Sequence, residues 1–246
     1  MRGGGQLGQL STVKCDDSIY VGFESGGLRS GLGILRLSSG DSYVGEFRDG
    51  LFHGNGEMRS QKFVYKGQFE EGARHGVGKM ITQSKVYTGY FKDDEKDGPA
   101  IVEVDNGKQV LKGYYKKGEV HGFGIRDYNQ GEKIFTGYFK KDLLTDIGMK
   151  ESDKSTYMGQ FSEGKFHGLG TIQLPDGSKY NGCWQNNKKH GYGTEYSING
   201  DEYDGIFDQD KKTGYGKLTL KSKGMSYLGN LEEGNYQGFG RLNWSH

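Results

Sequence analysis

The sequence predicts an all-β fold, namely an elongated, twisted, single-layer antiparallel sheet of about ten stacked β-hairpins. Its first basis is a short motif, in which a lead residue is followed by a glycine two places later and a second bulky residue two places after that; the motif recurs at steps of 22–24 residues. The second is a glycine count of 45 with only 2 prolines, without the every-third-residue spacing of collagen. The third is that no segment shows the 3.6-residue apolar period of a helix.

The motif begins ten times, and its lead position is nearly always aromatic. The lead residues are Tyr20, Tyr43, Tyr65, Tyr87, Leu111, Phe135, Tyr157, Tyr180, Tyr203 and Tyr227. One continuous array over residues 18–246 is therefore expected, because each repeat buries its apolar face against its neighbours. Residues 1–17 precede the first copy and are expected to be a flexible lead-in.

Each copy is predicted to be a hairpin, and the second copy shows why. Alternation in a strand places Tyr43, Gly45 and Phe47 on one face, where the glycine leaves room for a neighbouring ring. Residues 48–52 are expected to form the turn, and the second strand to run from near Gly54 to about Arg59. The structural residues of two clear copies are Tyr43, Gly45, Phe47, His53, Gly54, Gly56, Tyr157, Gly159, Phe161, His167, Gly168 and Gly170.

Composition narrows the class of protein. The formal net charge of +1 argues against a nucleic-acid binder, which would carry a basic excess. Two cysteines, Cys15 and Cys183, are expected to be reduced thiols. The start shows no signal segment and no glycine at position 2, and no apolar run reaches membrane-spanning length. A soluble, cytoplasmic protein is expected.

The pattern Tyr-x-Gly-x-Phe, turn, His-Gly-x-Gly resembles the MORN repeat (membrane occupation and recognition nexus) over nearly the whole chain. His-Gly-x-Gly begins at His53, His75, His121, His167 and His190. The resemblance implies a non-catalytic scaffold or adaptor without a cofactor, since pure-repeat members are mostly cytoskeletal or ciliary. It implies the cytoskeleton as location, with the ciliary axoneme and its radial spokes as the expected assembly.

Some copies depart from the motif, and bulges, a changed twist or partner contacts are expected there. The fourth copy has Pro99, which cannot donate a ladder hydrogen bond. The first, sixth and tenth copies also lose motif residues, with Glu24, Asp146 and Gln237 at the altered places.

Catalytic and metal chemistry find no support in the motifs. Equivalent histidines of adjacent hairpins stand two strands apart, roughly 10 Å, too far to share a zinc ion. Neither cysteine belongs to a Cys-x-x-Cys pair. The Gly-x-Gly stretches open no helix, as a phosphate-binding loop would require. We expect no catalytic residue and no metal ligand.

A candidate partner site lies on the opposite face of the first strand. The residue before the second bulky position is tyrosine in three consecutive copies, at Tyr90, Tyr114 and Tyr138. Such a stripe suits protein recognition, because the ring is apolar and the hydroxyl stays wet. The partner would be an apolar helix or strand laid in a groove. Cross-strand packing that stiffens the sheet is the alternative.

Lysine pairs near the turns give a second hypothesis, contact with an anionic surface, against the alternative of a solvated rim. These pairs are Lys116, Lys117, Lys140, Lys141, Lys188, Lys189, Lys211 and Lys212. A peripheral module that binds anionic phospholipids is therefore the alternative function, less favoured than protein binding. The open carboxyl-terminal strand edge also predicts self-association.

Overall fold

The computed structural model describes residues 9–244. The chain divides into two compact units, Met1–Glu119 and Val120–His246. Strands account for nearly all of the described chain, and its single helical piece is a 3-10 turn over Lys221–Lys223.

The first unit contains ten strands. They are β1 Gln9–Cys15, β2 Ser18–Ser25, β3 Leu28–Leu37, β4 Ser42–Arg48, β5 Leu51–Arg59, β6 Val64–Glu70, β7 Ala73–Ile81, β8 Lys85–Lys92, β9 Glu95–Val104 and β10 Gln109–Lys116. Within this unit, consecutive strands pair antiparallel from β1 to β10.

The second unit contains eleven strands, the first of which begins one residue before it. They are β11 Glu119–Tyr128, β12 Lys133–Lys140, β13 Leu143–Ser152, β14 Ser155–Ser162, β15 Lys165–Gln173, β16 Lys179–Gln185, β17 Lys188–Tyr196, β18 Glu202–Asp208, β19 Lys211–Leu220, β20 Met225–Glu232 and β21 Asn235–Trp244. Consecutive strands again pair antiparallel. The predicted all-β class, with hairpins following one another in an antiparallel sheet, is confirmed.

The amino-terminal strand β1 requires a correction. The expected lead-in covered residues 1–17, of which residues 1–8 lie outside the described part. Gln9–Cys15 is a strand whose residues pair with β2 from Glu24 to Ser18. The physical reason is that β2 would otherwise present a row of unpaired backbone groups. Residues 245 and 246 of the expected array also lie outside the described part.

The hairpin turn is shorter than expected. Asp49 and Gly50 alone form it, with φ of 52° and 83°, and β5 begins at Leu51 rather than near Gly54. Two positive φ values match the type I′ turn, whose twist fits that of the flanking strands. The predicted start of β5 was too late because Gly54 belongs to a β-bulge inside the strand and does not mark the start of the strand.

The hairpin of β4 and β5 contains a β-bulge. Gly45 lies opposite Gly56, whereas Glu46 lies opposite His53, so β5 contributes two extra residues to the ladder. Gly54 adopts a φ of 57°, the left-handed conformation that a glycine takes most readily. Such register shifts occur in all nine motif-bearing hairpins that lie wholly within one unit, and not only in the copies that depart from the motif.

The buried residues lie on one face of the sheet, which we call the ring face. Its core consists mainly of the lead residues and the second bulky residues of the motif. Tyr65 and Tyr157 are 0% exposed, and Phe69 and Phe161 are 3% exposed. Because the sheet has this one apolar layer, the opposite face is available for display.

Candidate functional site

The ring face is built on the close approach of a tyrosine ring to paired glycines. Gly205 lies opposite Gly216, and Tyr203 reaches across both. A Cβ on Gly216 would stand 2.7 Å from the Tyr203 phenolic oxygen. The hydroxyl donates hydrogen bonds to the carbonyl oxygens of Ile206 (3.0 Å) and Thr213 (3.1 Å), within the bulge. The motif's two glycines are therefore structural.

A third side chain covers the buried ring in most copies, and it comes from the second residue after the hairpin turn. Phe166 stacks on Tyr157 with ring centroids 3.7 Å apart. In other copies a cation takes this place, as where the Arg74 guanidinium lies 5.8 Å from the Tyr65 ring centroid. Stacked rings and cations over rings both favour burial of the tyrosine. Motif spacing alone did not reveal this covering position.

One charged group on the ring face is neutralised from two sides. Glu195 forms ion pairs with Lys189 and, at 2.6 Å, with Lys212. Burial acts to raise the pKa of Glu195, but hydrogen bonds from both lysines outweigh it and lower that pKa. The same lysines cover the rings of Tyr180 and Tyr203 at 5.1 and 5.3 Å. These two members of the predicted anionic-surface set are thus half-buried and engaged inside the fold.

The other six predicted lysines are exposed at the hairpin-turn edge of their own units. Lys116 and Lys117 belong to the first unit, and Lys140 and Lys141 to the second; each pair spans a strand end and its turn. Lys188 and Lys211 follow their turns, and Lys211 pairs with Glu233. Two of the lysine pairs therefore lie before or within the turn and two lie after it, a difference that the sequence pattern of paired lysines did not show.

The three predicted tyrosines lie on the face opposite the rings. Tyr90 and Tyr114, in the first unit, are 46% and 55% exposed, and Tyr138, in the second, is 54% exposed. Tyr114 is opposite Pro99, and Tyr138 is opposite Phe123, whose ring centroid is 5.9 Å away. Some cross-strand packing is therefore present, yet about half of each ring remains free.

The position of these tyrosines has a structural use in other copies. Gln68 and Gln160 accept hydrogen bonds there from the bulge amides of Val77 and Leu169, at 2.9 and 2.7 Å. Glu46 does the same for Asn55 at 2.9 Å. A tyrosine ring does not supply this local acceptor in the fourth to sixth copies. Their outward rings therefore have no such local role.

Sequence reasoning missed a longer row that includes Tyr138. Along the second unit, the third residue of the His-Gly-x-Gly segment also points to the face opposite the rings. On the next strand it is paired with the residue that precedes the second bulky position of the motif. We call the exposed apolar members of this row on strands β11–β19 the outer stripe: Phe123, Tyr138, Ile147, Leu169, Tyr192, Ile206 and Tyr215. Their exposure ranges from 37% to 68%. The sequence feature that could have revealed this row is the third residue of His-Gly-x-Gly, which is apolar in most copies.

Two of the motif histidines form local polar contacts. His75 lies 3.4 Å from Glu70 and 3.7 Å from Asp93, and His190 lies 3.2 Å from Asp208. In the described part of the chain, no three His, Cys, Asp or Glu side chains gather as a metal site would require. Cys15 and Cys183 are free thiols. Between residues 9 and 244, no helix has the length and apolar character needed to cross a bilayer.

Comparison with known proteins agrees with this geometry. The MORN repeat family model matches residues 20–42, 43–62, 65–84, 157–179, 180–202 and 203–225, together more than half of the chain. No curated protein matches the sequence.

Among solved structures, the chain is similar to the SAS-4 (dCPAP) TCP domain in complex with a proline-rich motif of Ana2 (dSTIL) of Drosophila melanogaster. That match has 15% identity and a TM-score of 0.37, and it covers 73% of this chain and 92% of that one. The MORN repeat is a non-enzymatic, protein-binding or membrane-associated module. With its period, its hairpins and the matched segments in agreement, the chain belongs to the MORN-repeat family.

Proposed function

We propose that this protein is a non-catalytic scaffold that holds a helical segment of a partner protein against the outer stripe. The observation that carries the proposal is the row of exposed apolar side chains along the second unit. Exposed apolar groups scattered singly are ordinary, but apolar side chains aligned in one row over successive copies mark an interaction surface.

The spacing of the stripe favours a helix. Corresponding stripe residues of successive copies are two strands apart, roughly 9.6 Å at about 4.8 Å per strand. Seven residues of an α-helix span about 10.5 Å, so an apolar heptad pattern meets one copy per two turns. One helix lying across the strands would contact Leu169, Tyr192 and Tyr215 in turn.

The chemistry of the face also favours a helix over an extended peptide. The strands beneath the stripe already pair with both neighbours, so they offer few backbone partners. An extended peptide would bury unpaired amide and carbonyl groups against apolar side chains, at a cost. A helix satisfies these groups internally. The stripe is also narrow, because the adjacent row carries Thr171, Thr194 and Lys217.

The assembly is proposed from family resemblance. Pure-repeat members serve mainly in cytoskeletal structures, so we place this scaffold in the cytoplasm, in a cytoskeletal assembly such as the ciliary axoneme and its radial spokes. Tyr90 and Tyr114 are proposed as a separate contact in the first unit. Self-association through the edge of β21 is a further proposed contact, since Asn235–Trp244 is exposed along its whole length.

Site-specific photo-crosslinking tests the proposal. A photoreactive amino acid is placed at Leu169 or Tyr192, with Lys188 at the turn edge as the control position, and crosslinked peptides are sequenced. We expect both stripe positions to crosslink to one protein segment with an amphipathic helical pattern, and Lys188 not to crosslink to it. Equal recovery at all three positions, or a segment without that pattern, would contradict the proposal.

Anionic-surface contact is the second candidate, supported by the exposure of Lys140 and Lys141 on one turn edge of the second unit. Such contact would weaken with salt, since screening reaches about 8 Å at physiological ionic strength. Vesicle flotation with anionic lipid at low and high salt measures it. Absence of flotation at low salt would exclude it.

A further inference from the structure

A second, unrelated feature lies on the ring face of the second unit, at Lys150. This residue sits in the middle of β13, opposite Phe135 on one side and Tyr157 on the other. Corresponding residues in other copies are mostly apolar. They are Leu35, Met58, Met80, Val102, Ile172, Leu218 and Leu242, with Arg126 and Glu195 as the other charged members.

Lys150 differs from the other two charged members in its partners. Glu195 is bound by two lysines, and Arg126 lies 3.9 Å from Asp142. For Lys150, no carboxylate of residues 9–244 lies within ion-pair distance, and its ammonium rests 5.3 Å from the Phe166 ring centroid. Burial, reinforced by the positive charge of Lys133, lowers the pKa of Lys150. The fold thus keeps a half-buried cation without a counter-charge.

Lys150 lines an open hollow of about 1000 Å³, together with other residues that carry hydrogen-bond donors. Lys133 lines it, with its own ammonium 5.0 Å from the Phe135 ring centroid, and so do the hydroxyl-bearing residues Tyr128 and Ser155. Neither of these hydroxyls makes a hydrogen bond within the described chain. Ser152 also lines the hollow, but its hydroxyl is used in the link to β14, where it donates to the Ser155 carbonyl oxygen at 3.1 Å.

The remaining charges leave the hollow basic. Lys154 adds a third ammonium, while Glu132 and Asp153 supply two carboxylates. Glu132 accepts a hydrogen bond from Asn129 at 2.9 Å. Neither carboxylate forms an ion pair with Lys133 or Lys150. The hollow lies where strands β11–β12 and β13–β14 are linked, at the edge opposite the hairpin turns, so it is separate from the turn lysines and from the outer stripe.

We propose that this hollow binds the phosphate group of a small polyanion, through the ammonium groups of Lys133 and Lys150 and the hydroxyls of Tyr128 and Ser155. Several donors that line one hollow fit an oxyanion with several acceptor atoms. Lysine binds phosphate as a point charge. A bound anion supplies the counter-charge that the sheet itself does not provide to Lys150.

The test uses the variant Lys150→Met. Methionine is the natural residue at this position in two other copies, as Met58 and Met80. Lys217→Met, an exposed lysine on β19 without an ion pair, is the control. The full chain is titrated with pyrophosphate by calorimetry and by thermal unfolding, at constant ionic strength. Without ligand, Lys150→Met should raise the unfolding temperature, because it removes a half-buried unpaired charge.

We expect pyrophosphate to stabilise the wild-type chain and the Lys217→Met variant equally, and to bind Lys150→Met at least about tenfold more weakly. Phosphatidylcholine vesicles with and without phosphatidylinositol phosphate separate two sources of the group. Vesicle binding that is lost in Lys150→Met, without pyrophosphate binding, would assign the phosphate to a lipid headgroup. Equal binding by Lys150→Met and wild type, or binding of neither probe, would overturn the proposal. The outer stripe is unaffected by either outcome.

Discussion

The ring of Tyr203 lies across Gly216, so that a Cβ atom on this glycine would stand 2.7 Å from both the ring carbon Cε2 and the phenolic oxygen. Tyr203 is 1% exposed, and its hydroxyl is satisfied by two carbonyl groups of the bulge. Neither the ring nor the strand can move aside without losing these contacts. This pairing explains why glycine and tyrosine recur together in the motif.

Replacing Gly216 with alanine should destabilise the protein by about 1–3 kcal/mol, because the added methyl group overpacks the site. The control is the same change in a Tyr203→Leu background, which removes the ring that the methyl group would meet. Urea unfolding of the four proteins in this cycle should show a coupling of at least about 1 kcal/mol between the two sites. Additive costs would refute direct contact as the reason for the glycine.

Alkaline pH should unfold the protein through its buried tyrosines. Burial raises the pKa of Tyr65 to about 12, from an ordinary value of 10.0; nearby Arg74 opposes the rise and Asp94 adds to it. A raised phenol pKa gives stability that is complete below the unfolded value of 10.0 and declines as the pH rises towards 12. Urea unfolding from pH 8 upward measures this decline.

Tyr65→Phe removes one such group, so its stability should fall less steeply above pH 10 than that of the wild type. The limiting difference is about 1.4 kcal/mol per pH unit for one proton. Tyr196→Phe, at an exposed position, serves as the control and should retain the wild-type slope. Identical slopes for all three proteins would contradict the assignment to Tyr65.

The bulge acceptors should make a measurable contribution to stability. Gln160→Met removes the acceptor of the Leu169 amide while keeping a side chain of similar length, at an expected cost of about 0.5–1.5 kcal/mol. Asn230→Met, at the same position in a copy without this bond, should leave the free energy of unfolding nearly unchanged. Chemical denaturation compares the two, and equal costs would show that the side-chain acceptor is unimportant.

The Glu195 network should behave as one unit. Glu195→Gln leaves Lys189 and Lys212 without their counter-charge and should destabilise the protein by about 1–3 kcal/mol. Replacing all three residues with methionine, which other copies carry at the position of Glu195, should restore most of the loss. If the triple variant is less stable than Glu195→Gln, the ion pairs contribute more than their desolvation costs.

Lowering the pH should reproduce part of this loss in the wild type. The pKa of Glu195 is held below its ordinary value of 4.5, so its contribution is present above 4.5 and is lost as the pH falls through the lower, folded value. The triple methionine variant should lack this component in acid urea titrations.

The fold could be predicted from the sequence, because the repeat period and the alternation of aromatic residues with glycine both arise from the packing of the ring face. It misplaced the hairpin turn, because a glycine that serves a bulge looks the same as a glycine that begins a strand. The strand β1 escaped notice because an edge strand needs only backbone complementarity and carries no motif. It pairs with β2 over seven residues, from Gln9 to Cys15.

The candidate site was only partly predictable. Tyr138 could be recognised in the sequence because tyrosine is unusual at its motif position. Leu169, Tyr192 and Tyr215 lie between two glycines of the motif, at a position that had no predicted role. Their common face follows from the bulge, which shifts the register in each copy and cannot be placed from spacing alone. The engagement of Lys189 and Lys212 with Glu195 likewise depends on pairing across neighbouring strands.

The affinity of the crosslinked partner segment for the chain shows whether the outer stripe binds a helical partner. A synthetic peptide of that segment is titrated by fluorescence anisotropy against wild type and against a variant with Leu169, Tyr192 and Tyr215 changed to serine, with circular dichroism showing that both remain folded. We expect the peptide to become helical on binding and the variant to bind it at least about a hundredfold more weakly, because buried anchor residues are lost. Unchanged affinity in a folded variant would contradict this expectation.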